Sequence, residues 1–478
     1  MKRLSLLIAL VLATSFVCAA AETNRPNVVF IFADDWGWGD LSCHGNTWLK
    51  TPNLDKFASE GIDFQQFNVL NPVCSPSRAA AMTGMYPARF SIHQHFTPNN
   101  NVPRGMPDWL DPKAPTIARF FKNAGYRTGH FGKWHLTAMI KDAPPVSAYG
   151  FDESAVFNGP GDASKQVGMY DTPSNAVSFI RANKSVPFYL DVWIHESHTP
   201  HMPTKESLEK WKNLDEQKRV YAAVITDGDN AIAKVLDALK EAGVADNTIV
   251  IFSADNGPEQ TGVESSKNTA NNWYYSVGTT GGLRGRKRSL FEGGVRPPFI
   301  VRWPGHTPAG VKNEKTVLSA VDLLPTLCAA AGVKVPDDYK GDGENLLDAF
   351  NGKEIFRTRP IFWEWRGPKT LTTGADRKSP DYWPRLAVRE GDWKLVMTDD
   401  EKRVELHQLI GDRAEAKDSA SEHPEIVARL SKMALDWNAT LPQKPDPNCI
   451  SKLPYDKRGK AQKVDALSGR RESASFNE

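Results

Sequence analysis

The sequence predicts an α/β protein built on a large, mostly parallel sheet with helices on both faces. Three observations lead there. Apolar runs of strand length alternate with amphipathic helical segments over most of the chain. The apolar runs are nearly continuous rather than alternating, as in strands covered on both faces. Acidic residues follow two of those runs directly, at the strand ends where an open parallel sheet gathers its ligands.

The elements follow in order. Val28 to Ala33, in "NVVFIFADD", form the first strand. "TPNLDKFASEG" is a helix with Thr51 at its cap, Pro52 in its first turn and Gly61 at its end. "TPSNAVSFIRAN" and "PFYLDVWIHESHTPH" give a further helix and strand. "AIAKVLDALKEAG" places Ile232, Val235, Leu236 and Leu239 on one face and stops at Gly243. "NTIVIFSADNG" is the next strand, and "RPPFIVRWPG" with "SAVDLLPTLCAAAG" adds one more strand and helix. This unit spans residues 25–355. Residues 356–450 read differently, as a small α+β subdomain. "RLAVREGDWKLVM" and "VELHQL" are short antiparallel strands, and "HPEIVARLSKMALDWNATLP" is a helix with Ile426, Leu430 and Met433 on one side. Residues 451–478 have the polar, basic composition of a disordered tail.

Residues 1–21 read as a signal peptide. Lys2 and Arg3 precede an apolar run from Leu4 to Val17, and Ala19, Ala20 and Ala21 precede a cleavage point near Glu22. The run falls short of the roughly 20 residues of a membrane span. Bulky Phe16 and Val17 argue against lipid attachment at Cys18. The expectation is an exported protein, periplasmic or secreted, with no membrane span. The chain holds 59 basic and 57 acidic residues, and loss of Lys2 and Arg3 would leave the two equal. That balance argues against nucleic acid as a partner. Anions must be met by local clusters.

Asp34 and Asp35 follow the first strand, and Asp255 and Asn256 follow "TIVIFSA". One such pair can simply cap the next helix. Two in matching positions point to a shared site if their strands are neighbours. Three carboxylates and an amide oxygen suit a hard divalent cation, Ca2+ ahead of Mg2+. Four cysteines remain beyond the leader. Cys328 lies in an apolar run and reads as core. A Cys43–Cys449 bridge stays open, and Cys74, in "NPVCSPSRAAAMTG", has no evident partner.

Cys74, Pro76 and Arg78 form C-x-P-x-R, and this motif resembles the signature of the type I sulfatases. "RPNVVFIFADDWGWGDLSCHGN", "GYRTGHFGKWHL", "ADNTIVIFSADNG", "LRGRKRSLFEGGVRPPFIVRWPG" and "GDWKLV" are similar to that family's segments, in its order, over residues 25 to about 440. The resemblance implies an alkaline-phosphatase-like fold and sulfuric ester hydrolysis. It also implies that Cys74 is oxidised to formylglycine by a maturating enzyme before folding, which would explain a cysteine without a partner. In the implied chemistry one hydroxyl of the aldehyde hydrate, held by the metal, attacks sulfur and the substrate alcohol leaves. The second hydroxyl is then deprotonated, sulfate is expelled and the aldehyde returns.

By the same resemblance, Asp34, Asp35, Asp255 and Asn256 match the metal ligands, with residue 74 as another. Arg78 matches the arginine that holds the formylglycine hydroxyl. Lys133 and His135, in "GKWH", match a sulfate-binding lysine and a histidine on that hydroxyl. His198, in "HTPH", matches the histidine near the leaving oxygen, and Lys287 matches a second sulfate-binding lysine. His195 and His201 flank His198 and are rivals for its role or packing residues. His93 and His95 either line the pocket or pack, and His130 reads as structural. Arg286 and Arg288 stand where the family has small residues, with Arg284 close by. They are either a solvated basic loop or a subsite for further anionic groups. Trp109, Trp273, Tyr274, Tyr275, Trp363, Trp365 and Trp383 are available to stack on sugar rings, although most large aromatics are core.

The implied substrate is a sulfated carbohydrate. The stretch from "HQHF" to "GKWHL" is similar to bacterial sulfatases of carrageenan-type galactans and to the N-acetylgalactosamine sulfatases. Two rivals stand beside this reading. One is a phosphoester hydrolase on the same fold, which would want further His and Asp ligands. The other is an inactive glycan-binding homologue, which would not need every catalytic position filled.

Overall fold

The computed structural model describes residues 25–97, 101–138, 140–158, 171–260, 276–367, 379–454 and 457–458. The expected signal peptide, Trp273, Tyr274, Tyr275 and the end of the tail lie outside them. Eight strands form the main sheet: β1 Asn27–Ala33, β2 Ile62–Asn68, β3 Arg127–Lys133, β4 Glu153–Phe157, β5 Phe188–Trp193, β6 Thr248–Ala254, β7 Phe299–Arg302 and β8 Val311–Ser319. Their order is β4-β3-β5-β1-β6-β7-β2-β8.

The centre of the sheet is the most apolar part of the sequence. Every residue of β1, β5 and β6 is buried. On one face, Val29, Ile31, Val250 and Phe252 pack with Ala176, Phe179, Ile225 and Val235. On the other, Val28, Phe30, Ile249 and Ile251 join a core that continues to the C-terminal sheet. Both faces are therefore covered, as the continuous apolar runs required. All pairings are parallel except those of β7, which runs antiparallel to both β6 and β2. The reversal has a simple origin. Lys287 lies at the carboxyl end of the sheet beside Asp35, so the chain enters β7 from that end and runs back.

The C-terminal sheet comprises β9 Ile361–Glu364, β10 Leu386–Glu390, β11 Trp393–Met397 and β12 Val404–Gln408, all antiparallel. The helix Pro424–Ala439 lies on it, burying Leu430, Ala434 and Trp437. Ions hold it to the main sheet. Lys394 bridges Glu292 and Glu415 at 2.7 and 3.1 Å, all three fully buried, and Arg389 donates to Asn68 and Gln66 of β2.

Several local readings change. Thr51 stands at the cap of Pro52–Ser59, but its hydroxyl serves Ser42 and Asp55 rather than the helix backbone. The helix carrying Ile232 and Val235 starts much earlier and spans Glu216–Glu241. Cys328 is buried, as its apolar run implied, and Cys43 and Cys449 are free thiols rather than a bridge. Trp109, Trp363 and Trp365 are buried and offer no sugar platform, while half-buried Trp383 carries the Arg403 guanidinium at 4.0 Å. The start of the tail is anchored, because Ser451 and Arg458 both bond to Asp108. Among the described residues no helix is long and apolar enough to cross a membrane.

Candidate active site

Register alone brings the two acidic pairs together. Ala33 lies opposite Ala254 in the β1–β6 ladder, and the Asp255 amide donates to the Ala33 carbonyl at 3.0 Å. The next residues of each strand, Asp34, Asp35, Asp255 and Asn256, must then share one end of the sheet. The Asp35 amide donates to Asp255 Oδ1 at 3.2 Å, and Asn256 Nδ2 donates to Asp35 Oδ1 at 2.7 Å. Gly257 follows where the backbones nearly touch: a Cβ there would lie 1.8 Å from the Gly293 carbonyl oxygen. β3 and β5 lie beyond β1, so Lys133 and the loop carrying His195 and His198 end beside the same cluster. The 276–298 return brings Lys287.

The residues at this end are held in uncommon backbone. Asp35, His135 and Arg288 all have positive φ, at 60°, 49° and 75°. Non-glycine residues in that region carry strain that surrounding contacts must offset, and such strain concentrates at functional sites.

Asp34, Asp35 and Asp255 each offer an oxygen within 4.8 Å of the others. At an effective dielectric of about 20, two charges at that distance repel by roughly 3 kcal/mol. Three such pairs rival the whole stability of a domain, so cations must offset them. Lys133 Nζ lies 2.5 Å from Asp34 Oδ2, and Lys287 Nζ lies 2.6 Å from Asp35 Oδ2. Arg78 donates from Nε and Nη2 to Asp255 Oδ2 at 3.0 and 2.7 Å, and its Nη1 reaches the Lys133 carbonyl. Its guanidinium also lies over Trp193 and is fully buried. Burial still raises the pKa of Asp35 and Asp255, with Asp34 adding to both. For Lys287 burial pulls the other way, but Asp35 and Glu259 outweigh it and hold the ammonium well above its usual range.

The donor set fits a hard cation. Asp34 Oδ1 and Asn256 Oδ1 are buried without a hydrogen-bond partner, beside the carboxylates of Asp35 and Asp255. Four oxygen-bearing side chains, two of them with unmet acceptors, are what a divalent metal such as Ca2+ or Mg2+ takes. Asp34 also belongs to a second group with His195 and His198.

Cys74 opens the buried helix Cys74–Thr83, so its side chain sits at the positive end of that helix. Its Sγ lies 3.1 Å from His135 Nδ1. His135 is oriented from both sides: its amide donates to Asn158 Oδ1, and Nε2 lies 3.0 Å from the Phe96 carbonyl. Burial, with Lys133 beside it, lowers its pKa to about 3.

His198 puts Nδ1 2.6 Å from the Thr199 carbonyl and turns Nε2 toward Asp35 Oδ2 at 3.8 Å. Burial and Lys133 push its pKa well down. His195 stacks on it with ring centroids 4.7 Å apart and bonds Asp34 Oδ2 through Nδ1. His201 does not join them and packs edge-on to Tyr221. His93 pairs with Glu364, and His130 sits between Asp191 and the Lys133 carbonyl, supporting β3. His95 lies 6.2 Å from the His135 ring.

The basic loop is largely neutralised. Arg284 pairs with Asp381 and Glu405, and Arg288 clasps Glu259 with two bonds of 2.8 and 2.7 Å. Arg286 donates to Tyr382 Oη and Gln260 Oε1. Glu259 was not legible as a site residue. Its only signal was an acid placed four residues after Asp255.

The sulfatase family model, described as "Sulfatase", matches residues 26–333. The chain belongs to the sulfatase family. Its fold is alkaline-phosphatase-like and its activity is sulfuric ester hydrolysis. The model described as "N-sulphoglucosamine sulphohydrolase, C-terminal" matches residues 285–438 of this sulfatase. Human N-acetylgalactosamine-6-sulfatase is 32% identical over 411 residues, 76% of this chain and 73% of its own. The N-acetylgalactosamine-6-O-sulfatase of Bacteroides thetaiotaomicron is 27% identical, covering 86% of this chain and 93% of its own. The crystal structure of Ps i-CgsB in complex with k-i-k-neocarrahexaose is similar with a TM-score of 0.72, at 25% identity over 89% of this chain and 96% of that one.

Proposed function

We propose that this sulfatase is exported and removes sulfate esters from a carbohydrate, a sulfated galactan or a galactosamine-containing saccharide. It does so through formylglycine made from Cys74 by a maturating enzyme, with one Ca2+ at Asp34, Asp35, Asp255 and Asn256. The observation that carries the reading is Cys74 at a helix N-terminus, 3.1 Å from His135 and beside the cluster held by Lys133, Lys287 and Arg78. The names of the relatives support the choice of sugar. The leader composition supports export.

The bound cation would supply charge neutralisation and polarise an oxygen on residue 74. The chain's own groups do the rest. Lys133 and Lys287 each spend one of three N–H donors on an aspartate and can turn others to sulfate oxygens, stabilising charge as the S–O bond changes. Phe96 holds a proton on His135 Nε2, leaving Nδ1 to accept one from residue 74. The Thr199 carbonyl fixes the proton on His198 Nδ1, leaving Nε2 as the atom that delivers a proton to the departing sugar oxygen. Arg78 holds Asp255 in place and offsets part of the burial that opposes its charge.

The test is a panel of defined sulfated oligosaccharides incubated with mature enzyme, reading released sulfate and product structure. Turnover of a sulfated galactose or galactosamine unit is expected. Hydrolysis of aryl sulfates with no sulfated sugar accepted would sink the carbohydrate reading. Faster turnover of phosphate esters would favour the phosphoester rival.

A further inference from the structure

The sequence drew attention to the basic loop around Arg286 and Arg288, yet the structure spends most of that loop's charge internally. Glu259 neutralises Arg288, Asp381 and Glu405 neutralise Arg284, and Asp35 takes Lys287. A less compensated cation is Arg104. It ends the short turn Val102–Arg104 and is half-buried. Among the described residues it has no carboxylate partner, and its Nη1 is buried with no hydrogen-bond partner. Burial is the sole influence on its pKa, which falls, whereas carboxylates raise Arg284 and Arg288.

Arg104 is also tied to the site. The segment before it is fastened to the helix of residue 74, because the Phe96 amide donates to Ser75 Oγ and the Phe96 carbonyl meets His135 Nε2. Thr97 and Asn101 then clamp each other through two bonds of 2.8 and 2.7 Å. His95, in that segment, faces the His135 ring and feels burial first, then His135, Arg104, Lys287 and Arg288. All four neighbours are cationic or potentially so, and no acid is among them. A buried guanidinium nitrogen without a partner is costly unless a ligand supplies one. Its planar fork suits a sulfate or carboxylate.

We propose that Arg104, with His95 beside it, forms a second anion subsite adjoining the sulfate pocket, which takes a second oxyanion carried by the same saccharide. This deepens the carbohydrate reading and rests on it. The oxyanion is a second sulfate ester or a uronate carboxylate. Substrates bearing one anionic group would fill only the pocket of Lys133 and Lys287.

Inhibition of 4-nitrophenyl sulfate hydrolysis by mature enzyme tests it. The inhibitors are inorganic sulfate, a monosulfated disaccharide, the same disaccharide with two sulfates, and one with a sulfate and a carboxylate. Wild type should bind at least one doubly anionic disaccharide more tightly than the monosulfated one, and the better of the two identifies the oxyanion. Arg104→Gln should weaken that inhibitor by about tenfold, the loss of one charge-assisted hydrogen bond, and inorganic sulfate by much less. Arg104→Lys should recover part of the loss and controls for folding. Equal weakening of every inhibitor, or no preference for double anions in wild type, overturns the subsite. Selective binding without hydrolysis of any disaccharide overturns the carbohydrate reading and leaves the subsite standing. Hydrolysis without selectivity does the reverse.

Discussion

Cys74 Sγ and His135 Nδ1 lie 3.1 Å apart, and the other nitrogen of that ring is held by the Phe96 carbonyl. The tautomer is therefore set by the backbone, with a lone pair facing residue 74. Protein made with an active maturation system should lose about 18 Da at the Cys74 peptide as thiol becomes aldehyde. Mass spectrometry checks this, and fully active enzyme with an intact thiol would contradict it. Cys74→Ala should fold and be inactive.

Asp255→Ala removes one of three crowded carboxylates and leaves Arg78 without its main partner. Activity should fall by orders of magnitude. The rise in Tm on adding Ca2+, expected for wild type from binding to the native state, should largely vanish. Full activity after exhaustive chelation would show that the cluster holds no required metal.

Arg288 and Lys287 share Glu259, at 2.7 and 3.8 Å. Arg288→Ala should free Glu259 to draw Lys287 away from the sulfate position. Rates on aryl sulfate and sulfated sugar should then fall by similar factors. Arg286→Ala, which touches Tyr382 and Gln260 instead, should fall less on both. A loss confined to polysulfated substrates in Arg288→Ala would restore the reading of this loop as a separate subsite.

His195 is fully buried, and burial lowers its pKa to about 4 even though Asp34 pulls upward. The unfolded chain, with an ordinary histidine near 6.5, binds this proton at a higher pH than the native state does. Stability from this group is therefore fully present above about pH 6.5 and is lost as pH falls toward 4. In metal-free protein, the difference in Tm between wild type and His195→Asn should shift against wild type across that window. A difference independent of pH would mean that His195 is not held neutral.

What the sequence showed and what it hid have separate causes. The sheet centre was legible because β1, β5 and β6 are continuous apolar runs, and register then placed Asp34, Asp35, Asp255 and Asn256 together. The first half of Glu216–Glu241 was not legible. Val220 to Asp229 are all buried, so no amphipathic period exists there, and Asp227, Gly228 and Asp229 look like a turn. Their real work is distant, since Asp227 caps Thr204 and Ser207 while Asp229 caps Asn53 and Leu54. β9 was missed because "IFWEW" carries too few residues to show alternation. The pairing of Arg288 with Glu259 joins two loops and has no local signature.

His198 and His195 are stacked, and both rings are fixed through Nδ1, to the Thr199 carbonyl and to Asp34 respectively. They differ in what their Nε2 can reach. His195 is fully buried, while the side chain of His198 keeps 23% of its surface open and Nε2 lies 3.8 Å from Asp35. The proposed proton delivery to a departing sugar oxygen is therefore better served by His198 than by His195. Burial and Lys133 oppose its protonation, and the negative sulfate of an incoming ester would counter both. A sugar alkoxide needs a proton to leave, whereas a nitrophenolate does not. General acid catalysis contributes about 10²–10⁴-fold where it is needed. His198→Ala should thus lose roughly that factor in kcat/KM on a sulfated sugar and far less on 4-nitrophenyl sulfate. His195→Ala should lose similar factors on both, because its effect passes through Asp34. His201→Ala should show no leaving-group dependence. Equal losses for His198→Ala on both substrates would make it a binding residue, and a selective loss in His195→Ala would move the acid to that ring.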